Sequence, residues 1–284
     1  KQKLLLVDGS SLAFRAFFSI LDLNRFKNSN GLHTNALYSF HRMFKSILDS
    51  EKPTHVLVAW DAGKTTFRTE MYADYKGGRS KTPGEFIEQM PYFNVLLDAW
   101  GIPHYRLNQY EADDIIGTLA RKGEEAGYEV VVLSGDKDLI QLADNNITVK
   151  ITTKGVTELV EYTPEVIFEK YGLTPEQIID MKGLMGDSSD NYPGVTKVGE
   201  KTAVKLLQEF GSVEGIYEHV DEMKKSKLKE NLINDKELAF LSKKLARINV
   251  ESPIEITLED TLRKEQDVDA LMSFYKEMNF NSFQ

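Results

Sequence analysis

The chain has no cysteine among its 284 residues, which excludes disulfides, thiolate nucleophiles and cysteine-held zinc or iron–sulfur centres. That fits a reducing compartment. No apolar run approaches the roughly 20 residues that a membrane helix needs. The N-terminal run Leu4–Val7 is stopped by Asp8 and lacks a cleavage signal, so it reads as a buried strand rather than a targeting segment. The expectation is a soluble, cytoplasmic, monomeric protein with no membrane partner. Tandem repeats and low-complexity segments are also missing. Positive charge is scarce: the formal net charge is -9, which alone argues against a polyanionic partner. The objection lapses if the acids gather in a metal site and the basic residues gather elsewhere.

What is present is enough for a sizeable core, since 41% of the residues are hydrophobic and 28% charged. Leu4–Val7, His55–Trp60, a weaker run near Ile102–Tyr105 and Glu129–Leu133 read as strands, with a further one around Asn146–Ile151. Helical patterns at Leu12–Phe18, Ala36–Leu48, Phe86–Ala99 and Ala112–Glu125 separate them. This alternation predicts an α/β fold, a mostly parallel sheet with helices on both faces. From Thr163 the texture becomes helical. Thr163-Pro164-Glu165 and Thr174-Pro175-Glu176 both carry helix-start chemistry. Helices are expected near Thr202–Phe210, Leu238–Ala246 and Asp267–Met278, with an extended stretch at Pro253–Thr257. The chain thus divides into a catalytic domain over residues 1–162 and a helical region over 163–284.

Acids sit at the carboxyl ends of the strands, where open α/β sheets bind ligands. Asp8 follows Leu-Leu-Leu-Val, Asp61 follows Val-Leu-Val-Ala-Trp, and Asp136 follows Val-Val-Val-Leu-Ser-Gly. One such acid would be a helix cap; three at one edge make a site. Asp138 lies two residues on, Glu111, Asp113 and Asp114 open a helix, and Asp187 and Asp190 share a glycine- and serine-rich turn. Part of the Glu111–Asp114 group could equally be plain capping. Carboxylates so crowded repel one another unless cations neutralise them. Oxygen-only ligands select Mg²⁺ or Mn²⁺ over zinc, and two such ions clamp phosphoryl transfer.

Two further segments suit a phosphate backbone. Between Lys64 and Thr82, five basic residues (Lys64, Arg68, Lys76, Arg79, Lys81) face two acids, a local charge of +3 in an acidic chain. Either this is a solvated loop or it is a basic arch, over about residues 64–90, beside the active edge. Residues 183–211 hold Gly194-Val195-Thr196-Lys197-Val198-Gly199 followed by a helix with Lys201, Thr202 and Lys205. Such a glycine-bracketed turn before a helix N-terminus can hold a DNA backbone without reading bases. Lys224-Lys225-Ser226-Lys227-Leu228-Lys229 reads equally as a phosphate contact or a solvated helix face.

These motifs together resemble the bacterial and phage 5′ nuclease family, which includes the 5′→3′ exonuclease domain of DNA polymerase I and flap endonucleases. The resemblance is carried by Asp8-Gly9-Ser10 with Arg15, Asp61-Ala62, Tyr75-Lys76 with Arg79, Tyr110 to Asp114, Gly135 to Asp138 and Gly186 to Asn191. It implies a PIN-like sheet, a helical arch and a helix–three-turn–helix clamp. It implies cleavage of DNA at 5′ flaps, nicks and RNA-primer remnants, in functional association with a polymerase and a ligase. Asp8, Asp61, Glu111 and Asp113 match a first metal group with Asp114 in support, and Asp136, Asp138, Asp187 and Asp190 match a second. Lys76, Arg79 and Arg15 match phosphate contacts, Tyr75 a ring for base stacking, and the hairpin a duplex grip with a K⁺ ion. Lys197 stands where relatives commonly have glycine, and Tyr192 where a smaller aliphatic residue is common. A DNA-binding module without catalysis, a PIN-like RNase and a small-molecule phosphatase are the competing readings. The full set of acids counts against the first, the hairpin against the second, and the arch and hairpin against the third.

Overall fold

A computed structural model describes residues 1–78, 81–153 and 158–284. The strands are β1 (Lys3–Asp8), β2 (His55–Trp60), β3 (His104–Arg106), β4 (Glu129–Ser134), β5 (Ile147–Thr153) and β6 (Glu158–Tyr162). They form one sheet in the order β3-β2-β1-β4-β5-β6. All pairs are parallel except β5 with β6. β2 is buried at every position and β1 and β4 at nearly all, which is why they read as unbroken apolar runs.

Successive side chains of a strand point to opposite faces, and two cores follow from that. Leu4, Leu6, Leu57, Ala59, Val130 and Val132 face one core, with α6 (Ala112–Glu125). Leu5, Val7, Val56, Val58, Val131 and Leu133 face the other, with α1 (Gly9–Ser19), α2 (Asn35–Glu51) and α5 (Met90–Trp100). Between β2 and α5 lie two short helices, α3 (Phe67–Met71) and α4 (Gly84–Ile87). After β6 come α7 (Pro164–Tyr171), α8 (Pro175–Met185), α9 (Glu200–Phe210), α10 (Val213–His219), α11 (Lys227–Asn234), α12 (Lys236–Ala246) and α13 (Val268–Met278). The α7 and α8 starts are capped as their sequences predict: Thr163 Oγ1 accepts from Val166 N, and Thr174 Oγ1 from Gln177 N. α13 returns to the first layer, burying Leu271, Phe274, Tyr275 and Met278 in the α1–α2–α5 core.

Three expectations need correction. The single helix at Phe86–Ala99 is two, α4 and α5. Pro91 stands in the first turn of α5 and cannot donate to a preceding turn. The buried Gln89 fills the break, its Oε1 accepting from Ala36 N and Leu37 N at the start of α2. Strand β6 was not anticipated, because it is only five residues long and mostly exposed. Pro253–Thr257 is not a strand.

Buried in the second core, His41 lies between the rings of Trp100 and Phe283, at 4.6 and 4.0 Å, and its Nε2 meets Tyr275 Oη at 2.7 Å. Its Nδ1 has no partner among the described residues. Burial, helped by Lys45, lowers its pKa to about 4. Between that value and the ordinary one the unfolded chain binds a proton that the native protein refuses, so stability falls as pH falls. Relative to His41→Phe, the wild type should lose about 2 kcal/mol between pH 7.5 and pH 5, measured by urea denaturation of both proteins.

Candidate metal centre and nucleic-acid interface

β1 lies between β2 and β4, so the connections diverge there and leave a crevice at the carboxyl edge. Register keeps the acids level: Asp8 pairs with Ala59, two residues before Asp61, and Val7 with Leu133, three before Asp136. A cavity of about 600 Å³ opens at this edge. Its walls hold Asp8, Asp61, Glu111, Asp113, Asp136, Asp138, Asp187 and Asp190, together with Arg15, Lys76 and Lys182.

Several of these acids also cap helices, so local folding aims them. Asp8 Oδ1 accepts from Ser11 N at 3.2 Å, and its Oδ2 from Ser134 Oγ at 2.8 Å. Asp136 Oδ1 accepts from Asp138 N at 2.8 Å. Asp61 Oδ1 accepts from Ala112 N at 2.7 Å, at the start of α6. Asp190 N donates to Asp187 Oδ1 at 3.0 Å. One oxygen from each of Asp138, Asp187 and Asp190 lies within 4.8 Å of the others. That spacing and all-oxygen donor set suit a hard divalent cation. A Cβ at Gly135 would lie 2.5 Å from Arg15 Nε, so a larger residue there would push that flexible side chain aside.

Crowding and burial raise proton affinity. Burial, then Asp61, pushes Asp8 up to about 6. Burial, with Asp190 and Asp8, pushes Asp136 up to about 6, and burial with Asp136 pushes Asp138 up to about 7. Asp113 is raised well above the carboxylate range by burial and then by Asp8, Asp136 and Glu111. Two acids go the other way. Burial would raise Glu111, but Lys76 and Arg68 outweigh it; burial would raise Asp187, but Lys182 outweighs it.

Asp114 does not line the cavity. It is fully buried, and its two oxygens accept from Arg68 Nη1 and Nη2, both at 2.8 Å. Arg68 Nη1 also donates to Glu111 at 2.6 Å, while Nε and Nη2 donate to the carbonyls of Leu245 and Arg247. Arg68 therefore belongs to the interior and not to an exposed basic surface, although it contributes to the +3 of that segment. Its only sequence signal was that charge. Lys182, which bridges Asp138 and Asp187, was also missed: a lone lysine near a helix C-terminus reads as an ordinary solvated end.

Lys76 pairs with Glu111 and faces the cavity. Tyr75 was expected to offer its ring to a base. It is buried instead, its hydroxyl donating to Glu111 at 3.3 Å and its ring near-parallel to Tyr192 at 6.3 Å. Arg79 lies outside the described residues.

In the hairpin, Gly194 has φ +62°, and a Cβ there would lie 2.3 Å from Gly186 N. The amides of Gly194, Val195 and Thr196 donate to Ser242 Oγ, Leu184 O and Asp235 Oδ2, so these three are committed internally, and the Val195 side chain is buried. What faces outward is Lys197 (φ +64°), Gly199, Lys201 and Lys205, with Thr202 half-buried. They surround the N-terminus of α9, whose first-turn amides have no preceding turn to bond. In the run Lys224–Lys229, Lys229 donates to the carbonyls of Asp221 and Met223, and Lys227 lies 3.5 Å from Glu230, as a solvated helix start would have it.

The chain matches the family model of the 5′-3′ exonuclease N-terminal resolvase-like domain over residues 3–172, and that of the 5′-3′ exonuclease C-terminal SAM fold over residues 173–269. It is similar to DNA polymerase I of Lactococcus lactis subsp. cremoris, 61% identical over all of this chain and 33% of that protein. To DNA polymerase I of Bacillus subtilis it is 55% identical over 99% of this chain and 32% of that protein. The chain thus spans about a third of the length of the curated relatives it matches. Among solved structures, the bacteriophage T5 5′-exonuclease with bound zinc is 26% identical (TM-score 0.70, 98% of this chain and 99% of that one). A T5 flap endonuclease complex with DNA and metal ions is 25% identical (TM-score 0.74, all of both chains). The catalytic core of Rad2, at 17% identity and TM-score 0.63 over 97% of this chain and 87% of that one, shares the fold.

Arg68→Ala should destabilise the protein by about 3–5 kcal/mol, because it leaves Asp114 buried without its cation and Glu111 with Lys76 alone. The double variant Arg68→Ala/Asp114→Ala should lose clearly less than the sum of the single losses. Urea denaturation of the three variants at pH 8 measures both.

Proposed function

The chain belongs to the 5′-3′ exonuclease family of nucleases, and on that footing we propose that it is a structure-specific 5′ nuclease using two divalent ions. It would hydrolyse DNA phosphodiesters near the junction of a duplex with a 5′ single strand, as exonuclease and as flap endonuclease. The observation that carries this reading is the single cavity whose wall combines eight strand-edge and turn acids with Arg15 and Lys76. No helix of the described residues is long and apolar enough to cross a membrane, and work on DNA puts the protein with the nucleoid in the cytoplasm.

The donor set fits Mg²⁺ or Mn²⁺. The ligands are all carboxylates, and the raised proton affinities of Asp8, Asp113, Asp136 and Asp138 mark an excess of negative charge that protein cations only partly offset. Asp8, Asp61, Glu111 and Asp113 would hold one ion, and Asp136, Asp138, Asp187 and Asp190 the other. When bound, the ions lower the pKa of water and stabilise charge on the phosphate. The chain's own residues do the rest. Lys76 and Arg15 draw a phosphodiester into the cavity and orient it against the acids. Ser134 and Ser11 hold Asp8 in place through their hydroxyl and amide. Phe14, Phe86 and Met90 give the same cavity an apolar wall that limits bulk water. The N-terminus of α9, with Lys197, Lys201 and Lys205, grips duplex backbone. A K⁺ ion at the hairpin would complete that grip.

The T5 relative's complex with DNA and metal ions supports the substrate class. The matches to DNA polymerase I support action beside a polymerase, clearing flaps and primer remnants ahead of it for ligation.

End-labelled 5′-flap duplex should be cut near the junction with Mg²⁺ or Mn²⁺, and not after exhaustive chelation. Asp136→Ala should lose most of this turnover while still binding the flap. Cleavage undiminished by chelation contradicts the proposal, as does near wild-type turnover by Asp136→Ala. For Lys76→Ala, rapid-quench single-turnover cleavage at saturating enzyme should slow by about 10²-fold, the cost of removing one donor to growing charge. A saturated rate within about twofold of wild type would make this lysine a steering charge only.

A further inference from the structure

Lys182 sits in the last turn of α8, where a basic side chain is favoured by the helix dipole alone. Its ammonium does something more specific than that. Nζ lies 3.2 Å from Asp138 Oδ1 and 2.9 Å from Asp187 Oδ2, inside the one described group of acids whose oxygens come within 4.8 Å of one another. An ammonium has three donors and no acceptor. Two of its donors serve two of the three carboxylates there, and the side chain also borders the cavity.

On the reading of Asp138, Asp187 and Asp190 as metal ligands, we propose that Lys182 is an internal stand-in cation for the second ion. It neutralises this group when no divalent ion is bound and is displaced when one enters. The physical reason is that a dication and an ammonium cannot share the same small set of oxygens without strong repulsion. The backbone of Lys182 is fixed, its carbonyl accepting from Gly186 N at 2.8 Å. The four-carbon stem is not, so the ammonium can swing into the cavity while the helix stays in place. Occupancy of the second site is then a competition, and its apparent metal affinity is lowered by the two contacts that must first be broken.

Lys76 makes a comparable pair with Glu111, but it projects from the basic segment after β2. Lys182 stands on a helix that also packs against α12 and α9. It is therefore a positioning residue for the metal-free protein, and the sign of its effect on metal binding separates this role from a merely structural one.

The test is calorimetric titration with MnCl₂ of wild type and Lys182→Met, both stripped of divalent ions, with melting followed in the metal-free and Mn²⁺-loaded states. Lys182→Met should bind Mn²⁺ at its weaker site roughly tenfold more tightly, because one repelling charge is gone. Its metal-free form should melt lower than wild type, and Mn²⁺ should narrow that gap. Lys182→Arg, which keeps the charge, should bind Mn²⁺ no more tightly than wild type. Unchanged or weaker Mn²⁺ binding in Lys182→Met, from a wild type that binds two ions, overturns the proposal and leaves the metal reading intact. Absence of Mn²⁺ binding in both proteins overturns the metal reading and the proposal with it. Should Lys182→Met fail to fold without metal, Lys182→Gln supplies the same comparison, because its amide still donates to one carboxylate.

Discussion

The structure depends on holding many carboxylates together at the edge of a hydrophobic sheet. Left alone they would repel, take up protons or push the edge apart. The core supplies the force that resists this. β1, β2 and β4 are packed on both faces, and sliding one by a residue would send every side chain to the wrong face. Asp8, Asp61 and Asp136 are thus held in place by leucines and valines that never touch a ligand. The protein then offsets the remaining charge in three ways. Arg68 neutralises Glu111 and Asp114 from inside, Lys76 and Lys182 meet their acids from the cavity side, and Ser134 donates to Asp8.

Capping and the ligation proposed for these acids are not rival accounts. Asp8 caps α1, Asp136 caps the turn that carries Asp138, and Glu111 and Asp114 form a reciprocal box at the start of α6. A cap fixes the backbone of its residue and engages only part of its oxygens' capacity, since each carboxylate oxygen has two lone pairs. For Asp8, Asp136 and Glu111 the remainder faces the cavity, whereas for Asp114 it meets Arg68. The division between Asp113 and Asp114 follows from helix geometry. Neighbours on a helix point about 100° apart, so one enters the cavity and the other reaches Arg68.

The parts legible in sequence were those whose pattern has one cause. Buried parallel strands read as Leu-Leu-Leu-Val and Val-Val-Val-Leu, and strand-end acids followed directly. Thr-Pro-Glu marked two helix starts. Features with two causes misled. Arg68 looked like surface charge because a sequence does not show which arginine a carboxylate pair will pull inside. Tyr75 looked available for stacking, yet Glu111 and Tyr192 bury it. The Gly194–Thr196 amides looked free for phosphate, but α12 and its neighbours consume them. β6, short, mostly exposed and edge-bound, carries too little of a buried pattern to be seen.

That consumption of hairpin amides has a mechanical meaning. α12 accepts the Gly194 amide on Ser242 Oγ at one point and the Arg68 side chain on the Leu245 carbonyl one turn later. Arg68 in turn holds Glu111. The hairpin turn at Gly194, the basic segment that carries Arg68 and the Glu111 side chain of the acidic cavity are therefore tied to one helix. Lys243 on the same helix reaches Asp180 of α8, which also carries Lys182. On the function proposed above, such a strut would fix the distance between the place where duplex is gripped and the place where a phosphodiester is cut. For an enzyme that, on that proposal, reads backbone and not bases, that distance would define the position of the cut relative to the junction.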